Sequence, residues 1–161
     1  MNHTAIRSLK EKAKIKNFAL GHVFVPERND YIRADSFPSS NYTIWLGNRK
    51  GPGRVSSTVE DLLKWDQALY TNKLVSQNTL ADAFTPMRLN NGTISNYGFG
   101  WELRPAENIV WHNGDNPGYK TIIIRVLKSN ITLIILCNNA TDAFENLTAE
   151  LKNCIQAPLV P

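Results

Sequence analysis

The sequence predicts an α+β domain, an antiparallel sheet with helices packed on it. Three observations predict it. A capped amphipathic helix starts at Ser57. Two strand-sized runs, Tyr119–Leu127 and Ile131–Cys137, follow each other across the tight connection Lys128-Ser129-Asn130. A last segment, from Thr141, repeats apolar residues at helical spacing. The 161 residues, 42% of them apolar and 20% charged, fit one ordinary domain with a core. They exclude a disordered, collagen-like or disulfide-scaffold chain.

Residues 1–56 read as irregular and loop-rich. Ala19–Val25 is a candidate strand, and Pro26, Pro38, Gly47, Gly51, Pro52 and Gly53 punctuate the stretch. Residues 57–161 read as helices followed by three core strands and a C-terminal helix. Ser57 and Glu60 form a capping box, Ser-x-x-Glu. Val59, Leu62, Leu63, Asp66, Leu69 and Tyr70 follow at helical spacing, with Asp66 breaking the apolar stripe. Asp61 and Asp66 are read as solvent-facing or cap residues. A second helix runs from its cap Ser76 to Phe84, where Thr85-Pro86 stops it.

Tyr97–Leu103 reads as extended. Ile109–His112 reads as a short strand entering a Gly/Asn/Pro turn, Asn113–Gly118. Ile131–Cys137 is apolar on both faces, as a central buried strand is. In the closing helix, Phe144, Leu147, Leu151, Cys154 and Ile155 form the stripe that covers the sheet. Cys137 and Cys154 lack metal or redox spacing and read as buried free thiols.

The charge is mild, 18 basic residues against 14 acidic. Arg7, Lys10, Lys12, Lys14 and Lys16 cluster, broken by Glu11, but no aromatic platform or reading motif accompanies them. No nucleic-acid partner is expected. No apolar run approaches the roughly 18–20 residues needed to cross a bilayer. No basic-then-apolar leader opens the chain, so no export signal is expected in it as given. Asn is abundant, at 18 residues, and Asn-x-Ser/Thr triplets start at Asn2, Asn41, Asn91, Asn130, Asn139 and Asn146. Asn richness alone produces some of them.

Three histidines exist. His3 is terminal and His22 lies in a candidate strand. His112 ends a strand and meets the turn containing Asn113, Gly114, Asp115, Asn116, Pro117 and Gly118. Such a turn can present backbone N–H groups to a ligand as an oxyanion hole. Metal binding needs three or four convergent ligands, and His112 with Asp115 supplies two, so no metal is expected. No phosphate loop, dinucleotide fingerprint or G-x-S-x-G elbow occurs, and no cofactor is expected.

Three of these stretches carry a resemblance. Gly51–Pro86 reads GPGRVSSTVEDLLKWDQALYTNKLVSQNTLADAFTP, Tyr97–Leu103 reads YGFGWEL, and Trp111–Gly118 reads WHNGDNPG. In this order and spacing they resemble the serine β-lactamase and penicillin-recognising hydrolase superfamily. The branch in view is that of class C β-lactamases, D-Ala-D-Ala peptidases and related esterases. Ala19-Leu20-Gly21-His22-Val23 is similar to an Ala-Leu-Gly-Tyr segment of that branch, and the likeness covers roughly residues 17–156.

The resemblance implies covalent acyl transfer. A serine in S-x-x-K attacks a carbonyl, Y-x-N assists proton transfer, and K-T-G or H-x-G borders the site on a sheet strand. His112-Asn113-Gly114 matches the third motif. By that match His112 faces the substrate carboxylate or the leaving group. Asn113 and Gly114 border the substrate, and the backbone N–H of Asp115 is an oxyanion donor.

The departures are as informative. None of the nine serines has Lys three residues on, and the Tyr-x-Asn triplet Tyr70-Thr71-Asn72 falls at the end of the helix that starts at Ser57, not upstream where the resemblance places that motif. Gly often stands at the position of Asp115, whose carboxylate opposes developing negative charge unless it points away. Gly-Asp-Gly-Gly is common where Gly51-Pro52-Gly53-Arg54 stands. Family members are about twice this length, with the first two motifs upstream. Met1-Asn2-His3-Thr4 is similar to a Leu-Gly-Met-x-x-Thr segment that follows them.

The resemblance therefore implies the C-terminal half of a serine acyl hydrolase, inactive alone, from a periplasmic or membrane-anchored bacterial parent. Its substrate is a β-lactam, a D-Ala-D-Ala peptide or an ester. In that fold the last strand lies against the first, so a lone half exposes the edge of Ile131–Cys137. Self-association, or a need for the missing half, is expected. Two other readings stand beside it: a non-catalytic binding or regulatory module of the same fold, and a stand-alone hydrolase using His112 with Asp115.

Overall fold

The computed structural model describes residues 1–6, 15–36, 53–141 and 143–156. Arg7, Lys10, Glu11, Lys12, Lys14, Pro38, Asn41, Gly47, Gly51 and Pro52 lie outside the described residues. In chain order the strands are β1 (Ala5–Ile6), β2 (His22–Val25), β3 (Asp30–Arg33) and β4 (Val55–Ser56). Helices α1 (Val59–Leu69) and α2 (Gln77–Ala83) follow. Then come β5 (Met87–Arg88), β6 (Ile94–Ser95), β7 (Glu102–Arg104), β8 (Ile109–Asn116), β9 (Tyr119–Val126), β10 (Ile131–Cys137), β11 (Asn139–Ala140) and helix α3 (Ala143–Gln156). This is the α+β class that the sequence predicts.

The largest sheet has the order β10-β9-β8-β7. Only two residues link β8 to β9 and four link β9 to β10, connections that antiparallel pairs alone allow. A second sheet has the order β11-β2-β3, with β11 parallel to β2. Two short ladders pair β1 with β4 and β5 with β6. By compactness the chain forms two units. Unit one comprises Met1–Asn2, Thr58–Asn113 and Ile122–Ile135, and unit two comprises His3–Ser57, Gly114–Thr121 and Leu136–Pro161.

Unit one is built on α1 and an aromatic core. The N-cap is Thr58, whose hydroxyl accepts from the Asp61 N–H at 3.2 Å. The side-chain cap is therefore Thr58 on the Asp61 N–H, one residue beyond the predicted Ser57-x-x-Glu60. The Ser57 hydroxyl instead meets that of Thr4 at 2.7 Å. Glu60, exposed in the first turn, has its carboxyl held below the ordinary value by its own backbone N–H and by Thr58.

The buried face of α1 also differs from the predicted stripe. Val59 and Leu63 are exposed, whereas Asp61 and Asp66 are fully buried. Asp66 Oδ1 accepts from Arg125 Nε at 2.6 Å and from the Thr132 hydroxyl at 3.0 Å. The Arg125 guanidinium, also fully buried, lies 4.7 Å from the centre of the Tyr70 ring. A charged pair inside a core persists only when paired and hydrogen-bonded, and removing one partner costs about 3–5 kcal/mol. Asp61 is a cap residue, as one of the two readings had it, though buried, whereas the surface reading of Asp66 is overturned by partners far away in sequence.

Around that pair, Leu69, Trp101, Leu103 and Val110 form the buried cluster. Trp101 stacks on Trp65 (centroids 6.0 Å apart) and takes the edge of Phe84 at 5.6 Å. Helix α2 starts at its predicted cap, where the Ser76 hydroxyl accepts from the Thr79 N–H at 3.0 Å.

The predicted extended run Tyr97–Leu103 is strand only from Glu102. Gly98 to Trp101 is a tight loop, with the Gly98 N–H donating to the Trp101 carbonyl at 2.8 Å. The Phe99 N–H donates to the carbonyl of Ala83, at the end of α2, at 3.1 Å. A Cβ on Gly98 would fall 1.9 Å from that carbonyl oxygen, so no other residue fits.

Unit two holds the β11-β2-β3 sheet. The candidate strand Ala19–Val25 begins only at His22, because Gly21 is in close contact with Gly118 and Tyr119. The Tyr119 hydroxyl accepts from the Gly21 N–H at 2.9 Å and donates to the Ala19 carbonyl at 3.0 Å. Burial and Asp35 push the Tyr119 phenol above its ordinary 10.0. Residues 1–56, read as irregular, include the β2–β3 hairpin, whose polar strand Asp30–Arg33 gave no apolar signal.

Helix α3 is capped as predicted, with the Thr141 hydroxyl accepting from the Ala143 N–H at 3.3 Å. Its buried residues are Phe144 and Thr148, while Leu147 and Cys154 are exposed. The covering stripe is thus rotated from the predicted one. Cys137 is half-buried, so neither thiol is the fully buried one expected. Strand β10, expected to be central, stands at the end of its sheet among the described residues, and Leu136 is exposed.

Candidate active site

The predicted site residues lie within β8, an eight-residue strand. The predicted turn Asn113–Gly118 is therefore mostly strand, and the turn proper is Pro117-Gly118. His112 is mid-strand and exposed rather than at a strand end. Strand alternation puts His112 and Gly114 on one face, and Asn113 and Asp115 on the other.

In β8, Ile109, Val110 and Trp111 pair with Arg104, Leu103 and Glu102 of β7. The ladder stops there. From His112 to Asn116, that edge of β8 has no strand partner among the described residues. An open strand edge offers backbone N–H groups to a ligand, as an oxyanion hole requires.

In unit one, the Tyr97 hydroxyl lies 2.9 Å from His112 Nε2, and His112 Nδ1 lies 2.6 Å from the Asn113 carbonyl oxygen. A carbonyl only accepts, so Nδ1 carries the proton. In the neutral ring Nε2 is then a bare acceptor and Tyr97 is the donor. The rings meet edge to face, 6.1 Å apart.

In unit two, the Asp115 carboxylate is turned to Lys120, whose ammonium donates to it at 2.8 Å and reaches Glu145 at 3.5 Å. The hydrogen bond to Asp115 holds the lysine above its ordinary 10.5. Gly114 lies close to its neighbour, since a Cβ there would fall 2.5 Å from the Thr121 hydroxyl, which would have to turn away.

The structure thus groups the four predicted residues on one strand, but it does not join His112 to the Asp115 carboxylate. Sequence reasoning missed Tyr97 and Lys120 as partners. Tyr97 sits in YGFGWEL, a stretch quoted for its resemblance and given no role. Lys120 carries no signal in one sequence, because its pairing depends on the register of β9.

An α+β sheet carrying H-x-G on an open strand defines a class, and the chain belongs to the Beta-lactamase family, whose sequence model matches residues 4–155. Among curated proteins it is similar to penicillin-binding protein 4* of Bacillus subtilis strain 168. The two are 37% identical over 146 residues, which cover 88% of this chain and 32% of that protein. It is also similar to the putative penicillin-binding protein PbpX of the same strain, 35% identical over 94 residues, 58% of this chain and 22% of that one. The chain therefore spans a third or less of the length of these relatives. Among solved structures it resembles a penicillin binding protein from Bacillus halodurans, with a TM-score of 0.69 at 17% identity. That match covers 93% of this chain and 44% of the other. These likenesses establish a penicillin-binding-protein-like serine hydrolase fold.

Proposed function

We propose that this chain is the C-terminal segment of a serine acyl hydrolase, supplying the third active-site motif while the acylated serine lies outside the sequence. The observation that carries this is the open edge of β8 beyond Trp111 among the described residues, which runs along the His112-Asn113-Gly114 match. His112 sits beside the reacting carbonyl, Asn113 and Gly114 border the substrate, and the Asp115 N–H helps hold the oxyanion. The substrate class is a carbonyl compound open to acyl transfer, namely a β-lactam, a D-Ala-D-Ala peptide or an ester. The relatives' names, penicillin-binding proteins, favour the first two.

The chain alone lacks S-x-x-K and is inactive by this reading. The parent works in the periplasm or on a membrane. No helix among the described residues is long and apolar enough to cross a bilayer. Strand β10, at the end of its sheet, pairs with a second copy or with the missing half.

The test is intact-mass measurement after exposure to benzylpenicillin, on this chain and on the same chain extended upstream to include S-x-x-K and Y-x-N. The expected result is a covalent adduct on the extended protein and none on this chain. Ester turnover by this chain alone, abolished in His112→Ala, would overturn the reading in favour of a stand-alone hydrolase. Absence of both adduct and turnover in the extended protein would leave a non-catalytic module.

A further inference from the structure

We infer that Tyr97 is the positioning residue of His112, and that its hydroxyl is the polar group of this pair that meets the ligand. The inference deepens the acyl-hydrolase reading and rests on it for its catalytic consequence only.

Both ring nitrogens of His112 are engaged, Nδ1 by the Asn113 carbonyl and Nε2 by the Tyr97 hydroxyl. The neutral ring therefore offers a ligand neither an N–H nor a free lone pair. What remains is the hydroxyl oxygen of Tyr97, which has acceptor capacity left while its hydrogen points at Nε2. If the ring takes up a proton, Nε2–H donates to the Tyr97 oxygen. The hydroxyl hydrogen then turns outward to an anionic ligand. One proton enters the ring and one O–H is redirected, so the pair passes a hydrogen bond outward without losing its own contact.

Burial does not force this pair together. His112 is exposed and Tyr97 is 41% exposed, so the contact adds little to stability by itself. What holds it is the frame on either side. Tyr97 forms a bridge with Glu102 of β7. The next residue, Gly98, is pressed against Ala83, and Trp101 anchors the loop in the aromatic core. A solvent-facing Tyr–His pair on so rigid a support is what a preorganised site needs. It also gives YGFGW a physical reading: Tyr97 is the working end, Gly98 permits the close approach, Gly100 takes φ +77°, and Trp101 is the anchor.

The test starts with long-range 1H–15N spectra of the ¹⁵N-labelled chain. The wild-type spectrum reads the pairing without any substitution, and His112 is expected to be protonated on Nδ1. In Tyr97→Phe the ratio of Nε2-protonated to Nδ1-protonated ring rises about fivefold, the worth of one ordinary hydrogen bond. Phe99→Ser, at the exposed neighbour, leaves the ratio unchanged. The indole signals of Trp65 and Trp101 report the fold in the same samples. A wild-type ring protonated on Nε2, or a ratio unmoved in a folded Tyr97→Phe, overturns the inference.

The second arm uses the upstream-extended protein with p-nitrophenyl acetate. Tyr97→Phe lowers kcat about tenfold, the scale of a misplaced catalytic group, and leaves KM within about twofold. A shifted tautomer with unchanged kcat would overturn the inference and leave the acyl-hydrolase reading standing. If His112→Ala has no effect on turnover, the acyl-hydrolase reading itself fails, whatever the spectra show.

Discussion

The β2–β3 and β7–β8 hairpins are closed by the same four-residue turn and differ in almost everything else. Pro26-Glu27-Arg28-Asn29 joins Val25 to Asp30, and Pro105-Ala106-Glu107-Asn108 joins Arg104 to Ile109. In both, proline opens a 3-10 turn, and asparagine closes it in the left-handed region, at φ 47° and 55°. In both, the asparagine N–H donates to the proline carbonyl at 3.1 Å. Asn reaches this backbone region more easily than other residues that carry a side chain. The strands then diverge. The cross-strand pair Phe24–Tyr31 has its rings 5.1 Å apart and stays exposed, whereas the equivalent pair Leu103–Val110 is buried. The turn fixes register in each case. What the strands bury decides how much each hairpin contributes, and the candidate site lies on the buried one.

The largest expected effect separates the two cross-strand pairs. Leu103→Ala should cost about 2–5 kcal/mol, because it leaves a cavity in a packed core. Phe24→Ala should cost less than about 1.5 kcal/mol, the worth of an aromatic pair without full burial. Urea unfolding of both variants checks this, and equal losses would break the distinction. A smaller effect tests the sameness of the turns. Asn29→Ala and Asn108→Ala should each cost about 1–2 kcal/mol, since each forces an alanine into the left-handed region. The matching glycine variants should be near neutral. A clear inequality between the two sites in thermal melts would show that the strands, not the turn, set the cost.

The smallest effect is one of pH and belongs to unit two. The Tyr119 phenol and the Lys120 ammonium both hold their protons more tightly in the folded chain. Their contribution is then complete below the unfolded values, about 10 to 10.5, and is lost as pH rises through the folded ones. The urea midpoint should be level from about pH 7 to 9 and fall above about pH 10. Lys120→Met should flatten part of that fall. A midpoint that rises above pH 10 would reverse the sign.

Element positions were legible wherever a periodic run met a cap or a tight turn. Both helix caps at Ser76 and Thr141 and the strands β9 and β10 stand where the pattern puts them. The rest was hidden for identifiable reasons. Asp66 looks like a surface carboxylate because its partners, Arg125 and Thr132, are 59 and 66 residues away. The loop at Gly98 reads as extended because its contact with Ala83 is tertiary. The β2–β3 hairpin is polar and leaves no stripe. Of the candidate site, His112 and Gly114 were singled out through a motif, and the structure places both on β8. The orientation of Asp115 required knowing that β9 brings Lys120 beside it.

The loop that carries Tyr97 also divides the chain's freedom to vary. Gly98 admits no side chain at all, and Trp101 fills a space that Leu69, Leu103 and Val110, with Trp65 and Phe84, define. Phe99, between them, is 61% exposed, and its backbone N–H is held by the Ala83 carbonyl. Selection can therefore rewrite position 99 without touching the frame. The segment behaves as a fixed bracket with one interchangeable tooth, and a library randomised there would sample new surface chemistry at little risk to folding.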